Sequence, residues 1–184
     1  CSIMKCTVAV LTDLCSLSSG KLMKCTKSKN LPMSLGLELL EQIMSAHPNL
    51  FQISNKPYYE ILKNQLCPIL IKLLNSRLDF SLMVRLFRTI STVLSDQGHN
   101  LIDESEQLIA SITMFIKVEH SGNSFILKLK TKNLSSQITQ SNEDAEKIYE
   151  GSEIKETQWA TMLALEVVRN IIAKPYFIMT IYTE

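Results

Sequence analysis

LGLELLEQIMSAHPNLFQISNKPYYEILKNQLCPILIKLL, residues 35–74, decides the fold. It reads as two amphipathic helices joined by a Pro/Asn turn. In the first, Met33, Gly36, Leu37, Leu40, Ile43, Met44 and His47 form one stripe, with Glu38, Glu41, Gln42 and Ser45 away from it. Pro32 opens this helix, where a missing N–H costs nothing, and Pro48-Asn49 stops it. Gly36 costs a helix roughly 1 kcal/mol against alanine, so it is expected to admit a close helix neighbour. In the second, which opens near Pro57, the stripe is Tyr59, Leu62, Leu66, Ile69, Leu70 and Leu73. Pro68 falls inside it and removes the bond to the Asn64 carbonyl, which predicts a kink in a helix that continues. His47 has no second ligand one turn away and reads as a capping or packing residue.

The same grammar extends both ways. Upstream, Ile3, Met4, Val8, Leu11, Leu14 and Cys15 predict a helix over Ser2–Leu17, ended by Ser18-Ser19-Gly20. A loop with Lys21, Lys24, Lys27 and Lys29 follows; it reads as a solvated segment, with contact to acidic lipid or an acidic partner as the sharper alternative. Downstream, Asp79 caps a helix over Phe80–Leu94, with Phe80, Met83, Val84, Phe87, Ile90, Ser91 and Leu94 on its stripe and Arg85 and Arg88 on the flank. Asp79 and Glu104 are the expected partners of those arginines if they form structural ion pairs; a carboxylate-bearing partner surface is the other reading. Asp103 and Glu106 start a further helix in capping-box spacing, with Leu108, Ile109, Ile112, Phe115 and Ile116 facing inward. Between Glu119 and Glu156 the period fails: SFILKLKTK alternates like a short strand, and a polar, acidic stretch follows, the pattern of a long, partly disordered insertion. Helix returns at Thr157 with Trp159, Met162, Leu163, Val167 and Ile171; Trp159 reads as core, and Glu166 and Arg169 are spaced to pair. Pro175 restarts a last helix.

These elements predict an all-α, armadillo/HEAT-like α-α superhelix of six to seven helices with one long insertion, a single domain over residues 1–184. A closed bundle is the alternative. Five Gly and five Pro are few for an all-β chain. Net charge +1 and the lack of a basic stripe with interleaved aromatics argue against nucleic acid. Cys1, Cys6, Cys15, Cys25 and Cys67 make an odd set without a Cys-x-x-Cys pair, which fits free thiols in a reducing compartment and no zinc site. No apolar run reaches the ~18 residues of a membrane span. No phosphate loop, nucleophile elbow or His-Glu-x-x-His motif is present, and neither catalytic residues nor a cofactor are expected. The opening at Cys1 and the apolar close give the look of an internal piece of a longer protein.

Four patches together carry a family resemblance: Thr7–Gly20, Leu35–Leu74, Met83–Leu94 and Trp159–Ile171. They resemble the homology-upstream region of the large Arf guanine-nucleotide exchange factors, and most nearly the Mon-two (monensin-sensitivity) branch, which lacks the catalytic exchange domain. The carrying motifs are Leu-Gly-Leu-Glu-Leu-Leu-Glu, the Leu-Cys-Pro of the kinked helix and Arg85-x-x-Arg88. The Asn-Tyr/Phe-Asp-Cys box of the catalytic branches is missing, and the long insertion points to a fungal member. The resemblance implies a non-catalytic scaffold, cytoplasmic and peripheral on trans-Golgi and endosomal membranes. It implies as partners an Arf or Arf-like small GTPase, a Dopey-family protein, an aminophospholipid flippase, and a neighbouring upstream domain or a homodimer partner. Arg85, Arg88, Lys21, Lys24 and Lys27 are the candidate interaction residues. Two rivals stand beside this reading: a regulatory upstream domain of an active exchange factor, and a helical-repeat cargo adaptor such as a nuclear transport receptor.

Overall fold

The computed structural model describes residues 3–25, 31–76, 78–120 and 159–174, and these are helices and short connections, with no strand among them. In order they are α1 (Ile3–Ser18), α2 (Met33–Ala46), a 3-10 turn (Pro48–Phe51), α3 (Lys56–Ile61), a π turn (Leu62–Leu66), α4 (Cys67–Leu74), α5 (Phe80–Gln97), α6 (Ile102–His120) and α7 (residues 159–172). The all-α, helical-repeat expectation holds. The expected strand and insertion lie outside the described residues, apart from Glu119 and His120, which end α6, and so do the expected helix after Pro175 and Lys27.

α2 sits between α1 and α5, and α4 packs on α5 and α6. One apolar core runs through them all, from Leu11 of α1 through Leu37, Leu66, Phe87 and Leu108 to Ile171 of α7.

Gly36 explains the tight α1–α2 contact. A Cβ there would lie 2.6 Å from Ser18 Oγ, 2.9 Å from Ser18 N and 3.0 Å from the Leu14 carbonyl oxygen. Only a residue without a side chain lets the two backbones come this close, as its position mid-helix suggested. Just beyond, α1 stops in a Schellman motif: Lys21 N–H donates to the Ser16 carbonyl at 2.9 Å and Gly20 N–H to the Leu17 carbonyl at 3.0 Å. Gly20 takes the left-handed φ of 73° that this stop requires.

The chain passes through Pro68 as a helix. Its accommodation is the π turn one turn upstream, where Cys67 N–H bonds five residues back to the Leu62 carbonyl. The wider register sits beside the Asn64 carbonyl, for which proline has no donor. Pro68→Ala restores that donor. Because Pro68 stands in the first turn of α4, where proline is tolerated, the exchange is expected to change stability by no more than about 1 kcal/mol and to return 62–66 to α register. A crystal structure of the variant that keeps the π turn would assign it to packing of Leu62 and Leu66 instead.

Two expected stripes are rotated. On α5 the buried residues are Leu82, Leu86, Phe87, Thr89, Ile90, Val93, Leu94 and Gln97, whereas Phe80 is exposed and Met83, Val84 and Ser91 are half-buried. The helix is embraced by α2 on one side and α4 on another, so its buried face is wide and includes polar positions. Asp79 does stand at the N-cap, but its carboxylate makes no capping bond. On α7 the core face is Ala160, Ala164, Val167 and Ile171, and Trp159, expected in the core, is 57% exposed. The small alanines face the core, and the larger Trp159, Met162 and Leu165 are exposed. In α1, Ile3 and Met4 are likewise exposed, and burial begins at Leu11.

Candidate interaction surface

The polar side chains of this fold tie elements to one another at three places. The first is the lysine loop after α1. Asp13 is buried in α1, and its two carboxylate oxygens accept the backbone N–H of Lys24 and of Cys25, each at 2.8 Å. Met23, just before those attachment points, is buried, while the Lys21 and Lys24 side chains face solvent. The loop is therefore held by its backbone with its ammonium groups outward. Asp13→Asn keeps one acceptor and loses the other. It is expected to cost about 1–3 kcal/mol, the range for a charge-assisted bond, and to speed hydrogen exchange at the Lys24 and Cys25 amides. Unchanged exchange there would show that the loop is held by Met23 alone.

The second place is the seam between α2 and α5. Arg85 pairs with Glu38 at 3.1 Å and Arg88 with Glu41 at 3.4 Å. These partners replace the expected Asp79 and Glu104. Two residues three apart on each helix lie one turn apart on one face, so two matched rungs form. Thr89 is buried in the same seam; its hydroxyl donates to the Arg85 carbonyl at 2.9 Å and lies 3.4 Å from the Leu37 carbonyl. Arg88 remains 59% exposed, which keeps most of its guanidinium available from outside.

The third place joins the ends of several elements. Buried Gln97 donates to the Pro48 carbonyl at 2.7 Å and accepts from Asn100 Nδ2 at 3.2 Å; the Asn100 carbonyl accepts the Tyr59 hydroxyl at 2.9 Å. Nearby, an open groove of about 430 Å³ lies between the π turn and α4 on one side and α6 on the other. Its rim carries the Lys63–Glu104 pair at 3.3 Å, which pushes the Lys63 ammonium above its ordinary range. The other Glu104 oxygen, Oε2, is buried with no hydrogen-bond partner.

The thiols of Cys15 and Cys67 are pushed up to about 12 by burial and stay protonated at neutral pH. Among the described residues no group of three His, Cys, Asp or Glu could hold a metal ion. No described helix is long and apolar enough to cross a membrane. Sequence reasoning missed Asp13, Thr89 and Gln97, because each is a polar residue inside an apolar stripe. The expected Glu166–Arg169 pair does form, at 2.8 Å.

Comparison with known proteins assigns this arrangement. The family model for the HUS domain of Mon2/Sec7/BIG1-like proteins matches residues 3–184. The protein MON2 homolog of Schizosaccharomyces pombe (strain 972 / ATCC 24843) is 25% identical over 177 residues, covering 96% of this chain and 9% of that protein. The chain thus spans about a tenth of this relative's length. No solved structure matches. The family indicated by the four sequence patches is the one found: the chain belongs to the Mon2/Sec7/BIG1-like HUS-domain family.

Proposed function

We propose that this chain is a non-catalytic scaffold domain of a membrane-trafficking protein that works at Golgi and endosomal membranes. The observation that supports this reading is the family match along residues 3–184 to a layered helical fold. The charged and polar groups it brings together hold helices and loops to one another instead of converging on a substrate. In this reading the partners are an Arf or Arf-like GTPase, a Dopey-family protein, a flippase, and a neighbouring domain or second copy of the same protein, with peripheral attachment to the membrane. Lys21, Lys24 and Lys27 offer ammonium groups to an acidic partner or to anionic headgroups. Arg85 and Arg88 are proposed to serve a partner's carboxylates while anchored by Glu38 and Glu41, which fix their positions.

A second reading, a regulatory upstream domain of an active exchange factor, draws on the Sec7 and BIG1 members of the same family. The MON2 homolog favours the first.

Binding of purified GTPases to the immobilised chain tests the proposal. An Arf-family GTPase is expected to bind in one nucleotide state, and Lys21→Glu with Lys24→Glu and Lys27→Glu is expected to weaken that binding at least fivefold. Binding confined to a Ran-family GTPase would favour a transport receptor, and binding by none of them would overturn the GTPase part of the reading.

A further inference from the structure

We infer that one end of the helical layer, where Lys21, Leu22, Lys24, Leu31 and Phe80 gather, docks on an anionic lipid bilayer. The inference rests on the peripheral membrane attachment proposed above and gives it a surface. α2 and α5 run parallel. Glu38 and Glu41 meet Arg85 and Arg88 in the same order, and Gln97 at the end of α5 bonds to the Pro48 carbonyl just past the end of α2. The starts of both helices therefore lie at one end. The loop after α1 joins them there, because a Cβ on Gly20 would come within 3.2 Å of Met33 Sδ at the start of α2.

Three large apolar side chains are exposed at this end: Leu22 at 76%, Leu31 at 41% and Phe80 at 39%. They belong in turn to the α1 loop, the start of α2 and the start of α5, and α2 sits between the other two helices. They form a row two interaxial spacings long, about 16–20 Å. Leu22 is held outward on a fixed backbone. Lys21 N–H bonds to the Ser16 carbonyl before it, and the Lys24 and Cys25 amides bond to Asp13 after it. The neighbouring Met23 is buried, so the loop turns one apolar side chain inward and leaves the other in water.

Charge selects the occupant. The exposed Lys21 and Lys24 flank Leu22, while the Asp13 carboxylate is buried beneath the loop with each oxygen accepting an amide. Asp79, exposed beside Phe80, is the opposing charge. Lysines interleaved with apolar side chains match a bilayer surface, where ammonium groups meet anionic headgroups and apolar groups enter the acyl boundary. An acidic protein surface would satisfy the lysines and leave the three apolar side chains in water.

Flotation of the 184-residue chain with lipid vesicles tests this. The chain is expected to float with vesicles of equal phosphatidylcholine and phosphatidylserine and to stay behind with phosphatidylcholine alone. Lys21→Glu with Lys24→Glu should lower affinity for the mixed vesicles about tenfold or more, since each lysine near such a surface contributes about fivefold. Leu22→Ser with Phe80→Ser should lower it about fivefold or more with the thermal melt retained, because both side chains lie outside the core. Lys5→Glu with Lys56→Glu makes the same change in net charge on exposed residues of the opposite end and should leave binding within about twofold of wild type. Equal binding to both vesicles, a loss as large from the Lys5 and Lys56 pair, or binding untouched by the Leu22 and Phe80 pair would overturn the inference; the last would give the lysines to an acidic protein. GTPase binding is read separately, so a chain that holds the GTPase and floats with neither vesicle refutes this surface and leaves the scaffold reading standing.

Discussion

Phe87→Ala is expected to lower the stability of the chain by about 3–5 kcal/mol, the range for emptying a buried phenylalanine site. Phe87 is 1% exposed at the middle of α5. Its ring meets Phe115 of α6 edge to face, with centroids 5.5 Å apart and an interplanar angle of 70°. That pairing adds about 0.5–1.5 kcal/mol to what area alone gives. How much of the loss appears depends on how far α5 and α6 close over the emptied site. Leu66→Ala, in the π turn and equally buried, is expected at about 2–5 kcal/mol. Urea titration followed by circular dichroism checks both. A midpoint unchanged within error for Phe87→Ala would mean that α5 and α6 do not pack as described.

Gly36→Val is expected to cost about 3 kcal/mol or more, and Gly36→Ala about 1–2 kcal/mol. The alanine Cβ alone meets three atoms of α1, two of them backbone, at 2.6–3.0 Å. Backbone cannot rotate away, so α1 must shift and lose part of its contact with α2; overpacking of this kind typically costs 1–3 kcal/mol. Alanine recovers about 1 kcal/mol of helix propensity, which leaves a net loss. Valine adds two methyl groups to the same clash. The order wild type, Ala, Val in melting temperature is the signature. A Gly36→Ala variant more stable than wild type would show that α1 moves at no cost.

These two sites differ in how far the sequence revealed them. Phe87 lay on any helical stripe one could draw, because an apolar residue every three or four positions is visible as period alone. Gly36 was legible for the opposite reason: a glycine inside a strong helix pattern has to be explained, and close approach was the explanation. The register of α5 was less visible. Thr89 and Gln97 are buried, yet a reading that counts only apolar residues passes over them and swings the stripe toward Phe80 and Ser91. Trp159 failed because the core side of α7 is built on Ala160 and Ala164, and size was read as depth. The partners of Arg85 and Arg88 were beyond sequence reasoning. Glu38 and Glu41 are over forty residues away, and only the packing of α2 on α5 brings them opposite. Asp13 was hidden in the same way, since its partners are backbone amides that carry no sequence signature.

The central claim is that this helical layer binds without catalysing. The most direct test is the rate of fluorescent nucleotide release from an Arf-family GTPase, measured with the chain present above the concentration at which the two are seen to bind. The account predicts a rate equal to that of the GTPase alone. A rate that rises in proportion to the chain added would contradict it.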